Sequence, residues 1–141
     1  MKLDRRGHVY DMLEGAYLGL GSDLDVVLVN DTLRQLAVLP YRVRGVSLAV
    51  AAPRYRPGRK VQIAIALDAD ARPWARHVVH VDVIAPDGVV RREYSRDVRT
   101  TDGKGSHTIP LALNDAEGVW SITATDAITG AQATTTFEVR P

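Results

Sequence analysis

Between Val46 and Val139, hydrophobic and polar residues alternate in short runs separated by turn-forming residues. Val46-Ser47-Leu48-Ala49-Val50 alternates large with small, and Val61, Ile63, Ile65 and Leu67 fall on one face of their run. Val79, Val81 and Val83 stand opposite His80, Asp82 and Ile84 in the run from His77 to Ile84. A period of two is that of a pleated strand with one buried face. Pro86-Asp87-Gly88 follows as a turn, because Pro fixes φ and Gly accepts a positive φ. Val89 to Ser95 is expected to return as the second arm of that hairpin. After Asp102-Gly103-Lys104-Gly105, the residues His107, Ile109, Leu111 and Leu113 continue the alternation, and Asn114 to Gly118 makes the next turn. Trp120, Ile122 and Ala124 then share a face against Ser121, Thr123 and Thr125. Beyond Thr129-Gly130, the last inward row is Ala133, Thr135, Phe137 and Val139.

This pattern predicts an all-β fold of about seven short strands in two antiparallel sheets packed face to face, an immunoglobulin-like sandwich. No long window from residue 46 onward keeps a helical period. The connections are too short to carry the crossover helices of a parallel sheet. The first 45 residues read as a β-rich segment broken by Gly15, Gly19 and Gly21. Val9-Tyr10, Ala16 to Leu20, Asp23 to Val29 and Leu36 to Val43 are its candidate strands. Asn30-Asp31-Thr32 serves equally well as the N-cap of a short helix over Leu33, Leu36 and Ala37. Pro40 and Gly45 set the expected boundary, giving an N-terminal segment 1–45, the possible tail of a preceding domain, and a sandwich 46–141.

Composition bounds the partners. At 141 residues the chain holds one domain, or one domain and a fragment of another. It has no cysteine, which removes disulfides and thiolate metal centres. Eighteen basic and 17 acidic side chains leave a net charge of +1, against a protein built mainly to bind nucleic acid or an anionic membrane. No apolar run reaches the ~20 residues of a membrane helix, and the first thirty residues lack the apolar stretch of a signal peptide. With one Phe and two Trp, the core must be aliphatic, anchored by Trp120 and Phe137.

Catalytic chemistry finds little footing. His77 and His80 lie three apart, so on a strand they point to opposite faces and cannot share one ion. They are expected as one exposed and one edge histidine, while His8 and His107 are isolated; no closed zinc site is expected. Asp68/Asp70 and Asp23/Asp25 are spaced for calcium at a loop, but they lack the rest of an EF-hand series and read as strand-end polar residues. No Gly-x-Ser-x-Gly elbow is present, and Gly103-Lys104-Gly105-Ser106 lacks the rest of a phosphate loop. Arg54, Arg56, Arg59 and Lys60 form the one dense basic run, around Tyr55. Pro53 and Pro57 explain that run as a turn before a strand. No catalytic residue, metal or cofactor is therefore assigned.

The segment Ala52-Pro53-Arg54-Tyr55-Arg56-Pro57-Gly58-Arg59-Lys60-Val61-Gln62-Ile63 resembles the entry to a macroglobulin-type β-sandwich, where a Tyr-x-Pro-Gly turn leads into an alternating strand. Gly118-Val119-Trp120-Ser121-Ile122 through Thr129-Gly130 to Phe137-Glu138-Val139 resembles the final hairpin of bacterial immunoglobulin-like, fibronectin-like and macroglobulin-like modules. Val9-Tyr10-Asp11, Gly15-Ala16-Tyr17-Leu18-Gly19 and Leu36-Ala37-Val38-Leu39-Pro40-Tyr41 are similar to the closing strands of the β-domain behind the catalytic barrel of large bacterial glycoside hydrolases. These resemblances imply a non-catalytic accessory module of a larger bacterial protein, with neighbouring domains of the same polypeptide as partners and an extracellular or periplasmic location if that protein is secreted. The alternative they imply is a carbohydrate-binding module that holds polysaccharide on exposed rings, with Trp74, Tyr94 and Tyr55 as the candidates. An exposed strand edge near the N-terminus would also allow a homodimer.

Overall fold

The alternating runs form eleven strands in three sheets in a computed structural model that describes residues 2–26, 33–73 and 75–141. In chain order the strands are β1 (Lys2–Asp11), β2 (Ala16–Asp23), β3 (Leu36–Leu39), β4 (Val43–Val50), β5 (Arg54–Tyr55) and β6 (Lys60–Ala69). They continue as β7 (Val78–Ile84), β8 (Arg96–Arg99), β9 (Lys104–Pro110), β10 (Gly118–Asp126) and β11 (Gln132–Val139). A small N-terminal sheet has the order β2-β1-β3, all antiparallel. The sandwich layers are β4-β6-β9 and β5-β11-β10-β7-β8, antiparallel except where β5 runs parallel to β11. The described residues are all-β, as the period of two predicts. Among them no helix is long and apolar enough to cross a membrane.

The core lies where the inward rows of the two sandwich layers meet. Val61, Ile63 and Ile65 of β6 and Ile109 of β9 face Val79, Val81 and Val83 of β7, Trp120 and Ile122 of β10, and Phe137 and Val139 of β11; all are buried. Trp120 is fully buried, its ring stacked on its cross-strand partner Phe137 with centroids 6.1 Å apart. Its indole N–H donates to the Ala116 carbonyl at 2.9 Å, so the ring is buried without an orphaned donor. The cysteine-free core is thus closed by aliphatic rows around an aromatic pair.

Two expected arms differ. Val89 to Ser95 is not a strand: only Val90 bridges to Ile84, and residues 92–94 turn before β8 pairs with β7. The Arg91 carbonyl accepts from the amides of Tyr94 and Ser95 and from the Ser95 hydroxyl, which fixes that turn. Past β9 the alternation stops at Leu111, because Pro110 has no amide for the ladder and the Ala112 amide turns to the Asp115 carboxylate. Leu113, expected inward, is 85% exposed.

In the N-terminal segment, Leu36 and Ala37 belong to β3, in place of the alternative helix. Its candidate start at Asn30-Asp31-Thr32 lies outside the described residues, as does the stretch 27–29 of the expected strand from Asp23. Tyr10 and Leu39 join the sandwich residues in one buried cluster. The small sheet is therefore packed onto the sandwich and shares its core.

Candidate functional site

The chain passes from the small sheet to the sandwich through Pro40-Tyr41-Arg42, and the buried polar groups concentrate there. Tyr41 is buried, and its hydroxyl lies 2.8 Å from His77 Nε2. His77, just before β7, is fully buried, and its Nδ1 lies 2.9 Å from Asp126 Oδ1 at the end of β10. The second Asp126 oxygen accepts from the Thr129 hydroxyl at 2.6 Å and the Thr129 amide at 3.1 Å. A carboxylate only accepts, so it draws the imidazole proton to Nδ1 and leaves Nε2 to accept from Tyr41. Burial raises the Tyr41 phenol above its ordinary pKa, which keeps it a donor. Four residues from three parts of the chain thus satisfy one another in a dry interior, where an unpaired polar group is costly.

Two further contacts fix the same junction. Tyr10 of β1 accepts from the Val43 amide at 2.9 Å and donates to the Val43 carbonyl at 3.4 Å, which ties the small sheet to the start of β4. Gly15, in the β1–β2 turn, meets Gly130, in the β10–β11 turn, backbone against backbone. A methyl group built on Gly130 would come within 2.5 Å of the Gly15 Cα. Both glycines have positive φ, 61° and 72°, which other residues rarely adopt. Arg42 pairs main chain to Asp70, its amide donating to the carboxylate and its carbonyl accepting from the Asp70 amide.

A Tyr–His–Asp line could relay a proton, but here Tyr41, His77 and Asp126 are each at most 1% exposed, and no substrate reaches them. The arrangement holds the junction together. His77 is therefore neither exposed nor at an edge, contrary to expectation: it sits one residue before β7 on the inward side. His80 does point to the opposite face. It is exposed, 2.6 Å from Asp97 and 3.2 Å from Asp82, and the Asp97 hydrogen bond above all raises its pKa. Ser95 lines a surface hollow with His80, Asp82 and Asp97, but its hydroxyl donates to the Arg91 carbonyl and accepts from the Val83 amide, both backbone groups.

Of the candidate sugar-stacking rings, the two among the described residues are engaged within the fold. Tyr94 is buried, packed on Trp120 and bonded through its hydroxyl to Asp115 at 2.6 Å, so it offers no free face. Tyr55 is half-buried, edge-on to Phe137 at 5.7 Å, and its hydroxyl accepts from the Ala52 amide. Trp74 lies outside the described residues. In the basic run, Arg54 pairs with Glu138 at 3.1 Å. Of the aspartate pairs, Asp70 is engaged with Arg42, and among the described residues no group of three His, Asp or Glu is placed to hold a metal. Sequence reading did not single out Tyr10, Tyr41, Asp126 or Thr129. The one signal for them was an Asp closing a strand three residues before a Thr-Gly turn.

Residues 51–139 match the MG2 domain family. The chain belongs to that family. Among solved structures it is similar to Escherichia coli alpha-2-macroglobulin activated by porcine elastase, at 30% identity and a TM-score of 0.58, over 70% of this chain and 8% of that one. The native conformation of the E. coli protein matches at 22% identity and a TM-score of 0.56, over 97% of this chain and 10% of that one. Salmonella alpha-2-macroglobulin reacted with methylamine matches at 20% identity and the same TM-score of 0.56, over 97% of this chain and 11% of that one. The MG2 chain thus spans about a tenth of the length of these macroglobulins. No curated protein matches it at a significant level. The alignments covering 97% of the chain run through the N-terminal segment as well, and they are with macroglobulins. The glycoside-hydrolase likeness of that segment is not supported.

Proposed function

We propose that this MG2 chain is a non-catalytic structural module of a larger bacterial macroglobulin-like polypeptide, in which it sets the position of the domain before it. Residues 43–141 are the module, and residues 1–42 are the end of the preceding domain and the connector. This division is drawn at the first residue of β4, Val43, in place of the expected one after Gly45. The observation that carries this reading is the shared burial of Tyr10, Leu39 and Tyr41 with the sandwich core, together with the fold likeness to macroglobulins across both parts. A flexible tether would leave a connector exposed and polar. Here the connector tyrosine is planted in the sandwich and bonded to its histidine.

The reading is tested by hydrogen exchange on this chain alone and within the longer polypeptide of its source. β2 is an edge strand in the small sheet, so the amides of Tyr17 to Leu20 are expected to gain protection in the longer polypeptide. The amides of β6 and β10 are expected to exchange equally slowly in both. Unchanged protection of β2, or a source polypeptide without further macroglobulin-like domains, refutes the proposal.

A further inference from the structure

Beside the buried network, a cleft of about 440 Å³ lies where the touching β1–β2 and β10–β11 turns meet the start of β4. Arg42 and Arg44 line it on one side, Tyr17 and Tyr10 on another, and Gly15 with Gly130 forms a wall of bare backbone. Neither guanidinium makes an ion pair with a described residue. The carboxylate of Asp70 is already committed to the Arg42 amide at 2.8 Å and lies 3.9 Å from His8 Nε2. The Arg42 guanidinium is held in place: it lies 4.6 Å from the centre of the Tyr17 ring, and the Tyr17 hydroxyl is bonded to His8 Nδ1 at 2.9 Å. Its main chain is clamped from both sides by Asp70. A guanidinium stacked on an aromatic face keeps its donor fork free, and a fork fixed beforehand loses less freedom on binding a planar anion.

We propose that this cleft is a binding site for a carboxylate on an acidic peptide segment, taken between the forks of Arg42 and Arg44. Fork-to-carboxylate pairing is bidentate and charge-assisted, which gives it both strength and a defined geometry. An extended polyanion is disfavoured, because the chain carries nearly equal numbers of acids and bases. Arg54 and Arg140, at the far end of β11, are both already paired with Glu138. The inference stands apart from the structural role proposed above: it concerns a solvent-facing cleft, and the full chain in isolation is enough to test it.

The test is NMR titration of the arginine Nε–H signals of the full chain with a blocked triglutamate peptide, a blocked triglutamine peptide and inorganic phosphate. Triglutamate is expected to shift the Arg42 and Arg44 signals saturably while leaving Arg54 and Arg56 unmoved, and triglutamine is expected to shift none. The variant Arg42→Gln/Arg44→Gln is expected to weaken triglutamate binding at least tenfold with an unchanged far-UV spectrum. Arg44→Gln alone, at an exposed position that spares the connector, serves if the double variant does not fold. Equal shifts across all arginines, or unweakened binding in the variants, would falsify the proposal. Saturation by phosphate at concentrations where triglutamate has no effect would overturn the assignment to a peptide carboxylate.

Discussion

Replacing Tyr41 by Phe removes one oxygen from the junction and leaves its ring in place. In the native chain that hydroxyl serves His77 Nε2 at 2.8 Å, with Tyr41 1% and His77 0% exposed, and it also takes a hydrogen bond from the Ala75 backbone. In Tyr41→Phe the ring nitrogen keeps its lone pair, but nothing donates to it. The other ring nitrogen remains bound to Asp126, so rotation of the imidazole would only move the deficit. A buried polar group left unpaired costs ~1–3 kcal/mol, and two groups lose their partner here, so about 2 kcal/mol or more is expected. With a urea slope of about 1–3 kcal/mol per molar, the midpoint of unfolding of the full chain should fall by roughly 1 M. Tyr17→Phe is the matched control: its hydroxyl bond to His8 is exposed, and the expected change is within ~0.5 kcal/mol. A Tyr41→Phe midpoint indistinguishable from that of the control would refute the reasoning. The junction would then be held by apolar packing alone.

Other outcomes follow from neighbouring features. Trp120→Ala should cost ~3–5 kcal/mol by chemical denaturation, since it empties the space against Phe137 and Tyr94; a loss below ~1 kcal/mol would mean that the ring is not central to the core. Gly130→Ala must either strain a φ of 72° or push the β1–β2 turn away from a Gly15 Cα only 2.5 Å from the new methyl. A loss of ~1–3 kcal/mol is expected, with faster exchange of the Gly15 amide, and an unperturbed turn would show that the two loops are not in contact. The Asp11 carboxylate is held below the ordinary range, first by the Glu14 amide and then by the Leu13 amide and Arg34. Its contribution is therefore complete above the unfolded value of ~3.9 and is lost as pH falls through the lower folded value. Amide exchange at Leu13 and Glu14 should accelerate across that acid window, and Asp11→Asn should abolish this pH dependence.

The sandwich was legible because each of its rows is a local pattern. Val61 to Leu67, Val79 to Val83 and Trp120 to Ala124 alternate so regularly that a slip of one residue would expose the whole row. The anchors Trp120 and Phe137 followed from their scarcity. The pattern failed where a side chain bonds backbone: at Ser95, which caps its own turn, and at Asp115, which takes the Ala112 amide just past the ladder and leaves Leu113 in solvent. The junction was not legible for a different reason. Tyr41, His77 and Asp126 are 36 and 49 residues apart in successive steps, and polar residues that satisfy one another across such distances leave no periodicity. His77 misled because the pair with His80 reads as one exposed and one edge histidine of a single strand. In the fold, the connector and the β10–β11 turn close over it.

The parallel pairing of β5 with β11, Arg54 to Glu138 and Tyr55 to Val139, has a consequence for the order of assembly. The β1–β2 hairpin closes over a few residues and forms as soon as it is made, whereas this pair joins positions more than eighty residues apart and carries the loop-closure entropy of nearly the whole sandwich. A chain emerging from the ribosome therefore holds Tyr41 and His77 long before Asp126, Thr129 and Phe137 arrive. Until then the histidine has no carboxylate and the N-terminal hairpin no Gly130 to rest on. The contacts that complete the junction, His77 with Asp126 and Gly15 with Gly130, are consequently among the last the chain makes.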